Sequence, residues 1–245
     1  LDAIEIVDLT MAVNRTWFHK FLLLLKEANL RIKWSMPSGT RSEILDPEIL
    51  GLLRETGCTF FALAPESGSQ RSLEKIKKRV SLTNLMEALK TSNRLGMTVK
   101  MNIIIGFPFE TRGDIWSTYK FLMKSAFFGA EDGGVNLFRA YPGTELFTEL
   151  EKEGRVALDD ENFDDANFAW DIFSFKRKTF CRNIPSWELK LLRLVLGVTF
   201  YLATYILRPA RILRSFRNVL SGRASATLFE ERLSETIQRL RKRTS

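Results

Sequence analysis

Two hydrophobic rhythms alternate along the first 150 positions of the chain. Short, nearly unbroken apolar runs occupy 4–7, 32–36, 60–64, 99–105 and 135–138. They are rich in β-branched and aromatic residues and bounded by Gly, Pro, Ser or Asp, so they read as strands. Between them apolar residues return every three or four positions. Over 14–28, Phe18, Phe21, Leu22 and Leu25 share one helical face. Asp46 with Pro47 opens a helix that ends at Gly57, and Ser81 or Thr83 opens another closed by Gly96. Thr111 with Asp114 three residues later has capping-box spacing and starts a helix to about Phe128. A short helix covers 145–152.

Strand and helix thus alternate five times with short connections, which predicts a parallel sheet with right-handed crossovers. No dinucleotide glycine fingerprint follows the first strand. The predicted class is therefore α/β, a partial (β/α) TIM-type barrel, rather than a Rossmann sheet. Such folds bind ligands at the C-terminal ends of their strands. There the sequence places Asp8, Arg41, Glu66 with Ser67, Gly106 with Glu110, and Tyr141 with Pro142. Each has a purely structural alternative. Asp8 and Glu66 could cap helices, Arg41 could pair with Glu43 or Asp46, and 141–144 could be a helix-start turn. Glu110 reads best as a residue that fixes its own turn, and Glu66 as the stronger candidate for ligand contact.

Beyond residue 153 the alternation stops. Segment 154–185 gathers acids (Asp159, Asp160, Glu161, Asp164, Asp165) and then aromatics (Phe163, Phe168, Trp170, Phe173, Phe175). It reads as an irregular segment over the barrel mouth or its open side. Segment 186–245 reads as a basic helical extension. Only 194–207 is free of charge, short of the roughly 20 apolar residues that span a bilayer. It is either a helix packed on the domain or one lying in a membrane interface. Arg208, Arg211, Arg214 and Arg217 then recur every third residue, and helical pattern resumes over 227–242.

Charge sharpens the division into 1–153, 154–185 and 186–245. The chain of 245 residues carries +8, but residues 176–245 hold 16 Lys and Arg against 4 acids. That tail matches lipid headgroups or nucleic acid, or is simply a solvated face. Two isolated cysteines, Cys58 and Cys181, form neither a disulfide framework nor a cluster site, and one histidine, His19, sits in a helical run. No Cys/His zinc constellation and no Ser-His-Asp set is evident.

Four motifs in order carry a family resemblance: SGTRSEILDPEILGLLRETGC (38–58), ALAPESGSQRSLEKIKK (62–78), GMTVKMNIIIGFPFET (96–111) and YPGTEL (141–146). They resemble the radical S-adenosylmethionine superfamily, and within it the branch whose members often carry an N-terminal cobalamin-binding domain. The resemblance implies a partial (β/α)6 barrel with S-adenosylmethionine across its mouth. It also implies a [4Fe-4S] cluster on the methionine end and a 5′-deoxyadenosyl radical that attacks substrate. It assigns Asp8 to the methionine amine, and Arg41 and Glu66 with Ser67 to the methionine carboxylate and ribose. Ile104 and Gly106 would pack on adenine, with Tyr141 and Pro142 on its far side. The cysteine loop CxxxCxxC of the family is not in the sequence, and the chain begins at what resembles the second strand. The expectation is a C-terminal part of a longer enzyme, with cluster ligands and any cobalamin domain upstream. As it stands the polypeptide is expected to hold neither catalytic nor metal-ligating residues of its own. Phe109 stands where the family commonly has glycine.

The aromatic segment and the apolar C-terminal helix favour a small apolar or lipid-like substrate, modified by methylation, cyclisation or another radical rearrangement. Peripheral membrane contact through 186–220 would bring a cytoplasmic protein to a lipid surface. The rival readings are a non-catalytic binding barrel and an RNA-modifying member of the same superfamily. Nucleic acid is disfavoured because the tail's arginines are interleaved with an apolar helix and no compact RNA-binding module follows.

Overall fold

The structure, a computed structural model, describes residues 3–8, 11–30, 32–159 and 178–221. Its centre is one parallel sheet of β1 (Ala3–Glu5), β2 (Lys33–Thr40), β3 (Cys58–Glu66), β4 (Thr98–Ile105) and β5 (Asp132–Leu137), in that spatial order. Strands that neighbour each other in chain order wind in one direction, as in a barrel; a Rossmann sheet would reverse at a switch point. β1 and β5 do not pair, so the sheet is an open partial barrel.

The crossover helices are α1 (Arg15–Glu27), α2 (Pro47–Glu55), α3 (Gln70–Lys75), α4 (Leu82–Arg94) and α5 (Arg112–Phe128). Asn14, Asp46, Ser69, Ser81 and Thr111 each accept an N–H of the first turn that follows them. The expected capping box at Thr111 and Asp114 is complete. Along β4, Val99, Met101, Ile103 and Ile105 are buried under the helices with Phe61, Leu63, Leu89 and Leu122. Each such side chain contributes roughly 1.5–3 kcal/mol by leaving water. The alternate residues Lys100, Asn102 and Ile104 take the opposite face.

β2 and β3 run further than the apolar pattern predicts, through the Pro-Ser-Gly and Ala-Pro-Glu stretches. Each does so by a register shift, between Met36 and Thr40 and between Leu63 and Glu66. A bulge accommodates the proline that a regular ladder would reject.

After β5, α6 (Glu145–Lys152) stands at the sheet's C-terminal edge. Next come α7 (Ser186–Leu207) and α8 (Ala210–Ser221). α7 packs on β5 and α5. The Phe200 ring covers Gly133, where a Cβ would stand 2.7 Å from a ring carbon. Arg193 Nε donates to the Val135 carbonyl at 2.9 Å, and Tyr201 Oη to Asp132 at 2.5 Å. The extension thus supplies the outer-layer helix after β5. The aromatics of segment 154–185 and the helix read over 227–242 lie outside the described residues.

Candidate functional site

Because the strands are parallel, the ends of β2, β3, β4 and β5 share one edge. Two of the turns there are laced together. On one side stand Ser67, Gly68 and Ser69, between β3 and α3, with Ser72 in the first turn of α3. On the other stand Glu110, in the turn just before α5, and Asp114 and Thr118, one turn apart on its first half. Ser67 Oγ and Thr118 Oγ1 are 3.0 Å apart, and Gly68 N donates to Thr118 Oγ1. Ser69 Oγ donates to Asp114 at 2.7 Å, and Ser72 Oγ to Glu110 at 3.0 Å. Gly68 permits the approach, since a Cβ there would lie 2.5 Å from Phe121 Cβ and 2.8 Å from Thr118 Cα.

Glu110 is fully buried. Its second oxygen accepts from Gly106 N at 2.6 Å and Phe107 N at 3.1 Å, closing the turn after β4. Burial pushes this carboxyl up to about 7, against the pull of those donors. Burial works against Asp114 as well. There bonds from Ser69 and Thr111, with Arg71 beside them, hold it below the usual carboxylate range. Glu110 is thus the turn-fixing residue that the sequence reading expected.

The expected ligand contacts fall into two groups. Ile104 and Tyr141 line a cavity of about 770 Å³ at the ends of β4 and β5. Its walls include Phe107, Phe109 and Phe138; Phe107 lies 5.8 Å from Phe109 and 5.0 Å from Phe138 between ring centroids. Its rim carries Lys77 paired with Glu145 and Arg182 paired with Glu149. Asp8, Arg41, Glu66, Ser67, Gly106 and Pro142 do not line it. Ser67 is buried and its hydroxyl is engaged by Thr118 and Ser69 N. Gly106, at φ +87°, has its open side filled by α7, since a Cβ would stand 2.4 Å from Leu189 Cδ2. Pro142 is exposed beside Tyr141, and Asp8 lies three residues past the end of β1.

Arg41 is exposed at the end of β2 and makes no ion pair among the described residues; Asp46 pairs with Arg15 instead. Glu66 ends β3 at φ +68°, a left-handed conformation uncommon for a side chain with a Cβ. It does not cap α3, which Ser69 does. Its carboxylate meets Lys78 Nζ at 3.0 Å. Strain of this kind, held by the serine lacing beside it, is characteristic of ligand-facing positions. The aromatic walls Phe107 and Phe138 escaped the sequence reading, although each lies within three residues of a strand-end residue that it singled out.

The cavity is of ligand size, apolar on its walls and polar on its rim, and fits a flat heteroaromatic ring with polar substituents. An iron–sulfur cluster does not fit these residues. Among the described residues no group of three or more His, Cys, Asp or Glu could hold a metal ion. The chain's two cysteines are both buried, Cys58 at the start of β3 and Cys181 against the Glu110 carbonyl. Burial pushes the Cys58 thiol up to about 12, so it is no thiolate donor.

Residues 4–122 match the profile of the Radical SAM superfamily. The chain is 31% identical over 147 residues to an uncharacterized methyltransferase of Pyrococcus horikoshii, covering 60% of this chain and 31% of that protein. It is 31% identical over 161 residues to cytidylyl-2-hydroxyethylphosphonate methyltransferase of Streptomyces wedmorensis, covering 64% and 30%. The chain therefore spans about a third of the length of these curated relatives. Among solved structures, methylornithine synthase shares the fold with a TM-score of 0.51 at 15% identity, over 83% of this chain and 49% of that one.

Proposed function

Because this chain belongs to the radical S-adenosylmethionine superfamily, we propose that it forms the adenosine-binding side of an enzyme that methylates an apolar substrate. The observation that carries this reading is the cavity at the ends of β4 and β5. Adenine would lie on the apolar wall that Ile104, Phe107 and Phe138 form, with Tyr141 at its open side, which excludes water and orients the ring. Glu66 and Arg41 offer opposite charges at the same edge for the ribose and the methionine carboxylate, with Asp8 beyond them for the amine. When bound, S-adenosylmethionine supplies a methyl group or, on one-electron reduction, a 5′-deoxyadenosyl radical. Since two buried cysteines cannot hold a [4Fe-4S] cluster, its ligands belong to residues outside these 245.

Methyl transfer is supported by the names of the two relatives. The apolar substrate is supported by the phenylalanines that continue from the cavity wall, Phe138 meeting Phe180 edge-on at 6.1 Å. Cobalamin as methyl carrier is the finer form of the proposal, resting on the sequence resemblance alone.

The test is titration of the full-length protein with S-adenosylhomocysteine, which binds without turnover. Phe138→Ala is expected to weaken binding about tenfold, the equivalent of roughly 1.4 kcal/mol. Unchanged affinity in that variant, or no binding by the folded wild type, would overturn the reading.

A further inference from the structure

We propose that the outer faces of α7 and α8, with the adjoining face of α5, dock on an anionic lipid surface. The inner face of α7 is used: Leu189, Arg193, Leu196, Phe200 and Thr204 are buried toward the sheet and α5. Outward it presents Leu191, Leu194, Val195, Val198, Leu202 and Ile206, all exposed. Their spacing makes one stripe of about 22 Å at 1.5 Å per residue.

α8 continues the stripe in an inverted sense. Its polar side faces in and its apolar side faces water. Ile212, Leu213 and Phe216 are exposed, Leu213 to 76%, while Arg211 and Ser215 are buried. The cause is the C-terminal end of α5, whose last carbonyls need donors. Arg208 donates to the carbonyls of Ala126 and Phe127, and Arg211 to those of Gly129 and Ala130. Arg211 and Arg214 both pair with Glu131. Turning the apolar side of α8 inward would strand these groups, so the exposed face is fixed by the fold.

Charge selects the occupant. On α5, Trp116, Lys120, Lys124 and Phe127 lie outward at i, i+4, i+8, i+11. The exposed cations of this face are Lys120, Lys124 and Arg217, and no acid stands on α5 after Asp114 or on α7 and α8 after Glu188. A second copy seated on this face would set cations against cations. Anionic headgroups meet the lysines while acyl chains receive the leucines and aromatics, the composition of an in-plane interfacial helix. α7 is long and apolar enough to cross a membrane. Its inner face is held by Phe200 on Gly133 and Arg193 on Val135, so it lies along the surface instead of spanning it.

This surface goes beyond the chemistry proposed for the cavity and does not depend on it. The experiment is flotation of the full-length protein with phosphatidylglycerol/phosphatidylethanolamine vesicles, against phosphatidylcholine vesicles and against 0.5 M salt. The wild type is expected to float with the anionic vesicles and at least tenfold less in either control. Ile206→Asp and Leu213→Asp, both on exposed positions, are each expected to reduce flotation at least tenfold while melting as the wild type does. Two results would overturn the proposal: wild type left in the soluble fraction with anionic vesicles, or folded variants that float like it. A self-associated wild type that the variants dissociate, without vesicle binding, would assign the face to a second copy and also overturn it. S-adenosylhomocysteine binding by the same variants stays at the wild-type level, which separates failure here from failure of the cavity reading.

Discussion

The two ends of α5 are both tied down, by opposite chemistries. At its N-terminal end Glu110, Asp114 and Thr118 receive hydrogen bonds from Ser69, Ser72 and the Gly68 amide of the β3 turn. At its C-terminal end Arg208 donates to its final carbonyls, and Arg211 to those of Gly129 and Ala130 just past it. Acids at the start and cations at the end follow the unsatisfied backbone groups and the helix dipole. The consequences differ. The first set joins β3 to β4 and holds the edge where the cavity opens. The second decides which side of α8 meets the outside. One helix therefore supports the proposed binding site at one end and the proposed docking surface at the other.

The largest expected effect comes from breaking the N-terminal end at its closest approach. Gly68→Val places side-chain atoms against Phe121 Cβ and Thr118 Cα, neither of which can swing away. A loss of about 3 kcal/mol is expected in urea unfolding. Loss of S-adenosylhomocysteine binding should accompany it.

Acidity tests the same end without a mutation. The Glu110 carboxyl titrates near 7 in the fold, against an ordinary 4.5. Between those values the native state holds a proton that the unfolded chain has released. Stability from this group is thus fully present below the unfolded value and is lost as pH rises through 7. Unfolding at pH 5 and pH 8 should differ by about 2 kcal/mol from this source, and Glu110→Gln should remove that difference. Asp114 is shifted the other way, so its contribution is lost only on acidification below the ordinary carboxylate range.

Asp114→Ala removes the acceptor for Ser69, Arg71 and Thr111 together, and about 2 kcal/mol is expected by the same assay. Arg211→Met is the mildest, at about 1 kcal/mol. It should leave S-adenosylhomocysteine affinity unchanged. A fall in that affinity would show that the two ends of α5 are not separable.

The start of α5 was legible in the sequence because its signals are local. Ile103–Ile105, Gly106, Glu110 and the Thr111/Asp114 box lie within twelve residues, and the strand, turn and cap appear as read. The lacing across it was not legible, because Thr118 stands about fifty residues from Ser67 and Gly68. Likewise the three-residue period of Arg208, Arg211 and Arg214 shows that they share a side, but not that this side faces in. Their partners, the last carbonyls of α5, those of Gly129 and Ala130, and the Glu131 carboxylate, stand some eighty residues earlier. The cavity was half legible: Tyr141 follows from a strand end and Ile104 from the family resemblance, whereas Phe107 and Phe138 join only when two turns meet.

The most direct test of the adenosine site is hydrogen exchange of the full-length protein with and without S-adenosylhomocysteine. The expected result is slowed exchange over 103–109 and 137–146, the turns after β4 and β5, with the outer face of α7 unchanged. Binding with no protection at either turn would contradict the assignment.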